Sequence, residues 1–389
     1  MAKEKKAPLG KKASKKTIHT FGIASLFNDM GANMIYPIWP LFLTSVLGAN
    51  MSVLGLVDGL GDALVSLSQA LSGYASDRLR KRKVFIWLGY LLGALSRIGY
   101  AISTSWPMII PFRILDRAGK IRDSPRDAIV ADESDNTNRG KNFGLIKGLD
   151  KAGGVLGIIL CIFFVNYFGY QNFFILAAIP SILSAALVYF IIKEKKNNKI
   201  KLYKGIQLRN LTPQYRLFLV LSAIFALGSF SYSFLLVFAN KAGYQIEFVP
   251  VLYLIYILVA ALFSIPFGKL SDKIGRKKVM YLAMLFWALT CIVFIFFNSL
   301  IAIMITFVLY GLHHAAIAPV QTAYVSELSP KKFRASALGG FQMSLGLCAL
   351  PASLIAGILW DNISPAAPFV LSLGLTIIAI VLLHFVKET

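Results

Sequence analysis

Residues 73–84 read GYASDRLRKRKV and residues 268–279 read GKLSDKIGRKKV, so a short charged pattern occurs twice in the chain, 195 positions apart. The register persists beyond the pattern, because Asp132 falls opposite Glu327 at the same offset. A repeat that extends this far indicates duplication of a whole structural unit. The sequence therefore predicts two similar halves joined by a linker.

The composition indicates the environment of these halves. The 389 residues are 57% hydrophobic and only 15% charged, with a mean hydropathy of +0.67, which exceeds what a water-soluble core can bury. We predict an all-α polytopic membrane protein with twelve transmembrane spans in two pseudo-symmetric six-helix bundles. Apolar runs long enough for a hydrocarbon layer of about 30 Å begin near Phe21, Val53, Val84, Pro107, Phe143, Phe173, Leu217, Phe248, Val279, Leu300, Ala335 and Ala366.

The basic residues predict the orientation. Most of the 40 Lys and Arg residues fall on one side of the predicted membrane, as the positive-inside rule requires of the cytoplasmic side. We expect a cytoplasmic basic tail at residues 1–17, a first bundle at 18–192, a cytoplasmic basic linker at 193–216 and a second bundle at 217–389. The net charge of +22 then reflects topology, and no nucleic-acid partner is expected. The expected state is a monomer in the bacterial inner (plasma) membrane, with both termini cytoplasmic.

The repeated pattern resembles a loop of the major facilitator superfamily (MFS), approximately G-x-L-[SA]-D-[RK]-x-G-R-[RK]. The second copy matches it throughout, and the first departs from it at Ala75 and Arg80. The stretches FNDMGANMIYPIWPLFL and DRAGKIRDSPRDAIVADES are similar to a large bacterial branch of that superfamily. The resemblance implies two six-helix bundles that rock about a central site to transport a small-molecule substrate.

The charged loops are candidates for a conformational gate. Glycines would let neighbouring helices approach closely, and aspartates at helix ends can face helix N-termini or basic residues. Breaking such contacts would free one half to rock, although the basic residues could instead be topology signals only. The predicted gate residues are Gly73, Asp77, Arg78, Gly268, Asp272, Lys273 and Arg276.

Residues 113–127, RILDRAGKIRDSPRD, carry eight ionisable groups but must cross the bilayer, because only an even number of crossings can connect the basic loops on either side. Arg113, Asp116, Arg117 and Lys120 follow spacings of three and four, so they share one helical face. Lipid cannot solvate that face, because a charge at mid-bilayer costs several kcal/mol. The face must line a cavity or form a fixed lattice of ion pairs.

Five carboxylates of the first half are candidates for proton or cation coupling. Asp29 is favoured, because its helix has no basic residue nearby and Asn28 can hydrogen-bond either protonation state. Asp58 and Asp62 are the alternative, since two carboxylates four residues apart could share one proton or hold Na⁺. We expect H⁺ as the coupling ion, Na⁺ as the alternative, and no cofactor or bound metal. The candidates are Asp29, Asp58, Asp62, Asp116 and Asp150.

The two halves differ in the chemistry that they offer. Charged residues occur in spans of the first half, whereas the second half offers aromatic walls that include Tyr232, Phe238, Tyr253 and Tyr256. Arg113 matches the arginine of the superfamily's fourth-helix R-x-x-[QD]-G pattern, and the resemblance implies a coupling or substrate role for it. The extra cations suggest an anionic or zwitterionic substrate, and the histidines could simply be packing residues. The predicted cavity residues are Asn28, Arg97, Arg113, Arg117, Lys120, Lys151, Tyr310, His313, His314 and Gln321.

These features together predict a proton-coupled secondary active transporter of a small organic solute. Gly144, Gly153 and Gly157 keep the glycine spacing of the antiporter branch, with Ile158 in place of its proline, which favours export over uptake. The alternatives are Na⁺- or H⁺-coupled uptake, lipid handling, and a non-transporting sensor on the same scaffold. Neither an enzyme nor a nucleotide-driven pump is expected, because the sequence contains no G-x-x-x-x-G-K-[ST] motif and no catalytic motif.

Overall fold

A computed structural model describes residues 11–79, 81–134, 138–194, 212–297, 299–329 and 334–386 of the chain. Most of the predicted tail and linker, residues 1–10 and 195–211, lies outside the described residues, as does Arg80. The described part is helical throughout its regular structure and contains no strand. The all-α prediction is confirmed.

Twelve spans can be traced, numbered here in chain order. Within the described residues, nine stretches are apolar and long enough to cross a membrane. One of them, Lys141–Ile191, contains two spans because Gly169 adopts φ 70° and breaks the helix. Helices α1 and α4 bring the total to twelve, as predicted. The first half contains α1 (Lys11–Ile35), α2 (Met51–Leu79), α3 (Arg82–Ile102), α4 (Trp106–Ala118, a 3-10 turn at Gly119–Arg122, and Asp123–Asp132), and α5 and α6, which are Arg139–Ile191 before and after Gly169. The second half contains α7 (Pro213–Gly228 and, after a break, Ser233–Lys241), α8 (Val249–Ile274), α9 (Arg276–Phe296), α10 (Leu300–Leu328), α11 (Arg334–Asn362) and α12 (Ala367–Phe385).

The charged segment of the sequence forms α4 inside the first bundle. Its guanidinium groups are buried at Arg113, Arg117, Arg122 and Arg126, although a helix rich in charge has no intrinsic tendency to be buried. Polar groups of neighbouring helices compensate this burial. Gln69, for example, donates a 3.0 Å hydrogen bond from α2 to Asp123.

The two halves meet mainly where α2 packs along α11. We call the end of the molecule where α2 is followed by α3, and α8 by α9, the loop face, and the opposite end the far face. At the far face the halves are hydrogen-bonded, for example from Ser52 to Asp361. Toward the loop face, no described atom lies within 4 Å of the position that a Cβ would take at Gly148 or Gly339. Described contacts between α2 and α11 extend from Gly357 at the far face to Gly346 beside Ser66. The halves are therefore in contact at the far face and lack described contacts at Gly148 and Gly339, nearer the loop face.

Helices α1 and α5 are in close backbone contact within the first half. A Cβ added at Gly157 would lie 2.1 Å from the backbone oxygen of Met30, so only glycine allows this approach. Small residues at helix crossings allow such approaches in membranes, where the hydrophobic effect does not drive association. The glycine spacing that the sequence offered as a sign of export therefore has a packing role here.

We predict that Gly157→Val lowers the thermal stability of the purified protein, because overpacking a tight contact costs about 1–3 kcal/mol. The matched control is Gly148→Val on the same helix, where no described atom would meet the new side chain. Thermal unfolding in detergent measures both variants. Equal melting temperatures for the two variants would contradict this account of the α1–α5 contact.

Candidate functional site

A cavity lies between the two halves near the middle of the predicted membrane. Its empty volume is about 640 Å³, which includes its opening to solvent. Its walls are largely aromatic and come from the second half: the rings of Tyr256 and Tyr310 are 4.8 Å apart, and those of Tyr310 and His314 are 4.6 Å apart. Residues that line the cavity include Asp62, Ser229, Tyr232, Tyr256, Trp287, Tyr310, His313, His314 and Ser353.

Asp62 is the charged group in this lining. It projects from α2 of the first half toward the aromatic walls, and solvent in the cavity reaches its side chain. Among the described residues it forms no ion pair within 4.0 Å and no hydrogen bond. Its surroundings leave its carboxylate available to a proton or to a positively charged ligand.

Asp58, one helical turn before Asp62, has the opposite surroundings. It is 2% exposed, and one carboxylate oxygen accepts hydrogen bonds from Arg113 at 2.6 Å and from the indole of Trp39 at 2.9 Å. The other oxygen accepts a 2.8 Å hydrogen bond from Ser231 and a second from Ser233, both at the break in α7. Since both oxygens are occupied, Asp58 and Asp62 do not form the shared proton or Na⁺ site that their spacing suggested.

Arg113 and Arg117 are covered by aromatic rings and neutralised by carboxylates. The guanidinium carbon of Arg113 lies 4.3 Å from the ring centre of Trp39, and that of Arg117 lies 5.3 Å from the ring centre of Tyr36. Asp116 lies between the two cations, 3.8 Å from Arg113 and 3.7 Å from Arg117. Neither arginine is more than 8% exposed, so neither offers an anion an open binding group.

Arg97 was predicted to line the cavity, but it lies instead in a buried hydrogen-bond network. It is 2% exposed on α3, and it donates hydrogen bonds to the backbone oxygens of Ala177 (3.1 Å) and Asn28 (3.3 Å) and to the hydroxyl of Ser181. The side-chain oxygen of Asn28 accepts a 3.0 Å hydrogen bond from the same serine. These bonds join α1, α3 and α6, and they bury Asn28 in the same network.

Asp29 and Asp150 form a second acidic site, on α1 and α5. Asn28 donates a 3.1 Å hydrogen bond to Asp29, as the sequence suggested. Asp150 lies 3.9 Å from both Arg126 and Lys147, and one of its oxygens is buried without a hydrogen bond. The two carboxylates are close enough to interact electrostatically, and neither belongs to the cavity lining.

Of the remaining predicted cavity residues, some line the cavity and others do not. His313 also lines the cavity, but it is buried and its Nδ1 lies 2.8 Å from the backbone oxygen of Ala283, so it fits the packing alternative. His314 and Tyr310 line the cavity. Lys151 is exposed, and Lys120 and Gln321 are half-buried outside the cavity lining.

The repeated loops form two matching charge clusters at the loop face. Arg82 binds Asp77 at 2.7 Å and Asp132 at 2.8 Å, and Arg276 binds Asp272 at 2.6 Å and Glu327 at 3.1 Å. Each cluster therefore joins one arginine to two carboxylates.

Three predicted gate residues differ from expectation. Arg78 and Lys273 are exposed, and Arg82, which was not among the predicted gate residues, bridges Asp77 and Asp132. A Cβ at Gly268 would meet no described atom within 4 Å, and one at Gly73 would make only ordinary contact with Ser124 at 3.4 Å. In this conformation, therefore, the predicted close helix approach is absent at Gly268.

Several residues of the site were missed by the sequence reasoning. Trp39, Ser231 and Ser233 complete the surroundings of Asp58. A signal for the two serines exists, because residues 228–233 read GSFSYS inside an otherwise apolar span, and the helix is broken there. Trp39 lies in an aromatic stretch with no comparable sign of a polar role.

Comparisons with known proteins agree with this architecture. Residues 21–254 and 217–389 match the family model of the Major Facilitator Superfamily. The chain belongs to the major facilitator superfamily. It is therefore a multi-pass integral membrane protein of a transporter family, and the family prediction is confirmed.

Relatives of this MFS protein span two domains of life. An uncharacterised MFS-type transporter of the archaeon Methanocaldococcus jannaschii is 40% identical over 383 residues, which is 95% of each chain. The quinolone resistance protein NorA of Staphylococcus aureus is 25% identical over 382 residues, again 95% of each chain. The fold is similar to a crystal structure of a mutant nucleoside transporter, NupG, with a TM-score of 0.81 at 13% identity, covering 96% of this chain and 100% of that one.

We predict that Asp58 and Arg113 are energetically coupled. Asp58→Asn and Arg113→Gln should each lower stability by several kcal/mol, because each leaves a buried partner uncompensated, and the double variant should lose less than the sum. Thermal unfolding in detergent measures the stability of the four proteins in this double-mutant cycle. The exposed pair Asp272→Asn and Arg276→Gln is the control, with coupling of at most about 1 kcal/mol. Additive losses at Asp58 and Arg113 would count against the ion pair as a stabilising centre.

Proposed function

We propose that this protein is a proton-coupled secondary active transporter that moves a small organic solute by alternating access. The two halves would rock about the central cavity, exposing it to one side of the membrane at a time. If the positive-inside rule places the basic loop face in the cytoplasm, this conformation would be the one that opens inward.

The observation that carries the proposal is the unpaired carboxylate of Asp62 inside the cavity. An ionisable group at this depth is costly, and it is retained where it serves transport. Water in the cavity can deliver a proton to Asp62, and the same carboxylate can pair with a positively charged solute. Proton and solute would then compete for one group.

The cavity walls favour an aromatic solute that is neutral or positively charged. Tyr256, Trp287 and Tyr310 contribute aromatic rings to the lining, and aromatic rings attract cations and stack on other rings. The anionic preference suggested by the sequence loses its basis, because Arg113 and Arg117 are paired and buried. A zwitterion could still place its cationic group at Asp62.

Competition at one carboxylate favours antiport, and hence export driven by proton entry. A proton that binds Asp62 would displace a cationic solute on the side where protons are abundant. The similarity to a protein named for quinolone resistance is consistent with that direction.

Uptake by symport is the second candidate, and the separate acidic site of Asp29 and Asp150 favours it. A proton bound at that site would not compete with solute at Asp62. Coupling would then require movement of α1 against α5, which carry the two carboxylates. Na⁺ is the alternative ion for either scheme.

We predict that Asp62→Asn reduces proton-driven transport at least tenfold without a change in melting temperature. Proteoliposomes with an imposed pH gradient would be tested with ethidium as a cationic aromatic probe and anilinonaphthalene sulfonate as an anionic one. Ethidium should accumulate and the anion should not. A Na⁺ gradient in place of the pH gradient identifies the coupling ion.

Glu247→Gln is the matched control, since it neutralises an exposed acid at the far face. Undiminished gradient-driven ethidium movement by the Asp62 variant would refute Asp62 as the coupling group. Loss of coupling in Asp29→Asn or Asp150→Asn instead would favour the second candidate.

A further inference from the structure

Helix α2 of the first half begins against a carboxylate of the second half. Asp361, in the last turn of α11, accepts a 3.1 Å hydrogen bond from the backbone N–H of Met51 through one oxygen. Its other oxygen accepts a 2.7 Å bond from the N–H of Ser52 and a 2.6 Å bond from the Ser52 hydroxyl. More than 300 residues of chain separate the partners.

These bonds satisfy groups that a helix cannot satisfy itself. The first N–H groups of an α-helix have no partner within it, and the same end carries a partial positive charge. Asn50 accepts a 2.9 Å bond from the N–H of Val53, so α2 supplies part of its own cap. Asp361 completes the cap from the other half and adds a full negative charge.

The adjacent contact fixes the carboxylate in place. Gly357 lies one helical turn before Asp361, and a Cβ there would be 2.3 Å from the backbone oxygen of Met51. Backbone therefore packs directly on backbone between α11 and α2. The cap and this contact lie together at the far face, where the halves are joined.

We infer that Asp361 is a latch that holds the far face closed by capping α2 across the interface. This inference rests on the proposed alternating access. When the far face opens, α2 and α11 separate there, and the N–H groups of Met51 and Ser52 exchange the carboxylate for water. Asp361 thus stabilises the state that is open at the loop face, and its loss shifts the balance toward opening of the far face.

Distances across the far face test the latch independently of transport. Spin labels at Val46 and Phe297, which are exposed on the first and second halves, report the separation by double electron–electron resonance, with Cys161, Cys291 and Cys348 replaced by Ala. Asp361→Ala should raise the ratio of open to closed far face about fivefold, as expected for loss of a helix cap. Asn362→Ala is the matched control, because the side-chain amide of Asn362 donates, among the described residues, a hydrogen bond to the backbone oxygen of Ile358 in its own helix.

A second set of variants tests the latch even if Asp361→Ala fails to fold. Ser52→Ala should shift the ratio in the same direction by less, and adding it to Asp361→Ala should cause little further change. A disulfide between Ser52→Cys and Asp361→Cys should abolish ethidium transport until a reductant is added.

Two results would overturn the latch. If Asp361→Ala leaves the distance distribution unchanged while the protein still populates both states, the latch is refuted and the proposed transport stands. If the far face never opens in membranes with either gradient, alternating access and the latch fail together.

Discussion

A charge buried within the bilayer must find its partner inside the protein, and the Asp58 carboxylate finds four donors. Arg113 and Trp39 bind it from the first half, and Ser231 and Ser233 bind it from the break in α7. The free-energy cost of removing two ions from water is offset only when the ions are well aligned and their remaining polar atoms are hydrogen-bonded, as the carboxylate oxygens of Asp58 are here. This centre joins α2, α4 and the segment that follows α1 in one half to the interrupted helix α7 of the other. The cavity, the far-face contact and the covered arginines are all arranged around it.

The two halves repeat a fold without repeating its chemistry. Their loop-face clusters are equivalent in space, each with one arginine between two carboxylates, but the arginines are not at equivalent positions in the repeat. Arg82 follows Asp77 by five residues, whereas Arg276 follows Asp272 by four. The geometry of the cluster is therefore maintained although its sequence register has shifted. Inside the membrane the halves diverge further, with ion pairs in the first and aromatic rings in the second.

The sequence predicts those features that depend on local composition. Apolar run length defined the spans, and the parity of crossings placed the charged segment 113–127 inside the bundle. Contacts between residues that are far apart in the chain leave no such pattern in the local sequence. The carboxylates Asp58 and Asp62 share one helical face and look alike in sequence, but partners from α4, α7 and the segment that follows α1 distinguish them. Asp361 is likewise an ordinary acid at the end of a span until α2 is placed against it.

The division between Asp58 and Asp62 has a physical basis. A carboxylate fixed by an arginine, an indole and two hydroxyls cannot exchange its proton state without breaking contacts between the halves, which makes it suited to hold a pivot. A carboxylate that faces water and aromatic rings can change its partner without disturbing the fold. Transport by rocking needs both, because the pivot must persist while the bound ion changes. In the proposed mechanism, placing the two groups one helical turn apart on α2 would tie the exchangeable site to the fixed one, so that a change at Asp62 would occur next to the junction of the two halves.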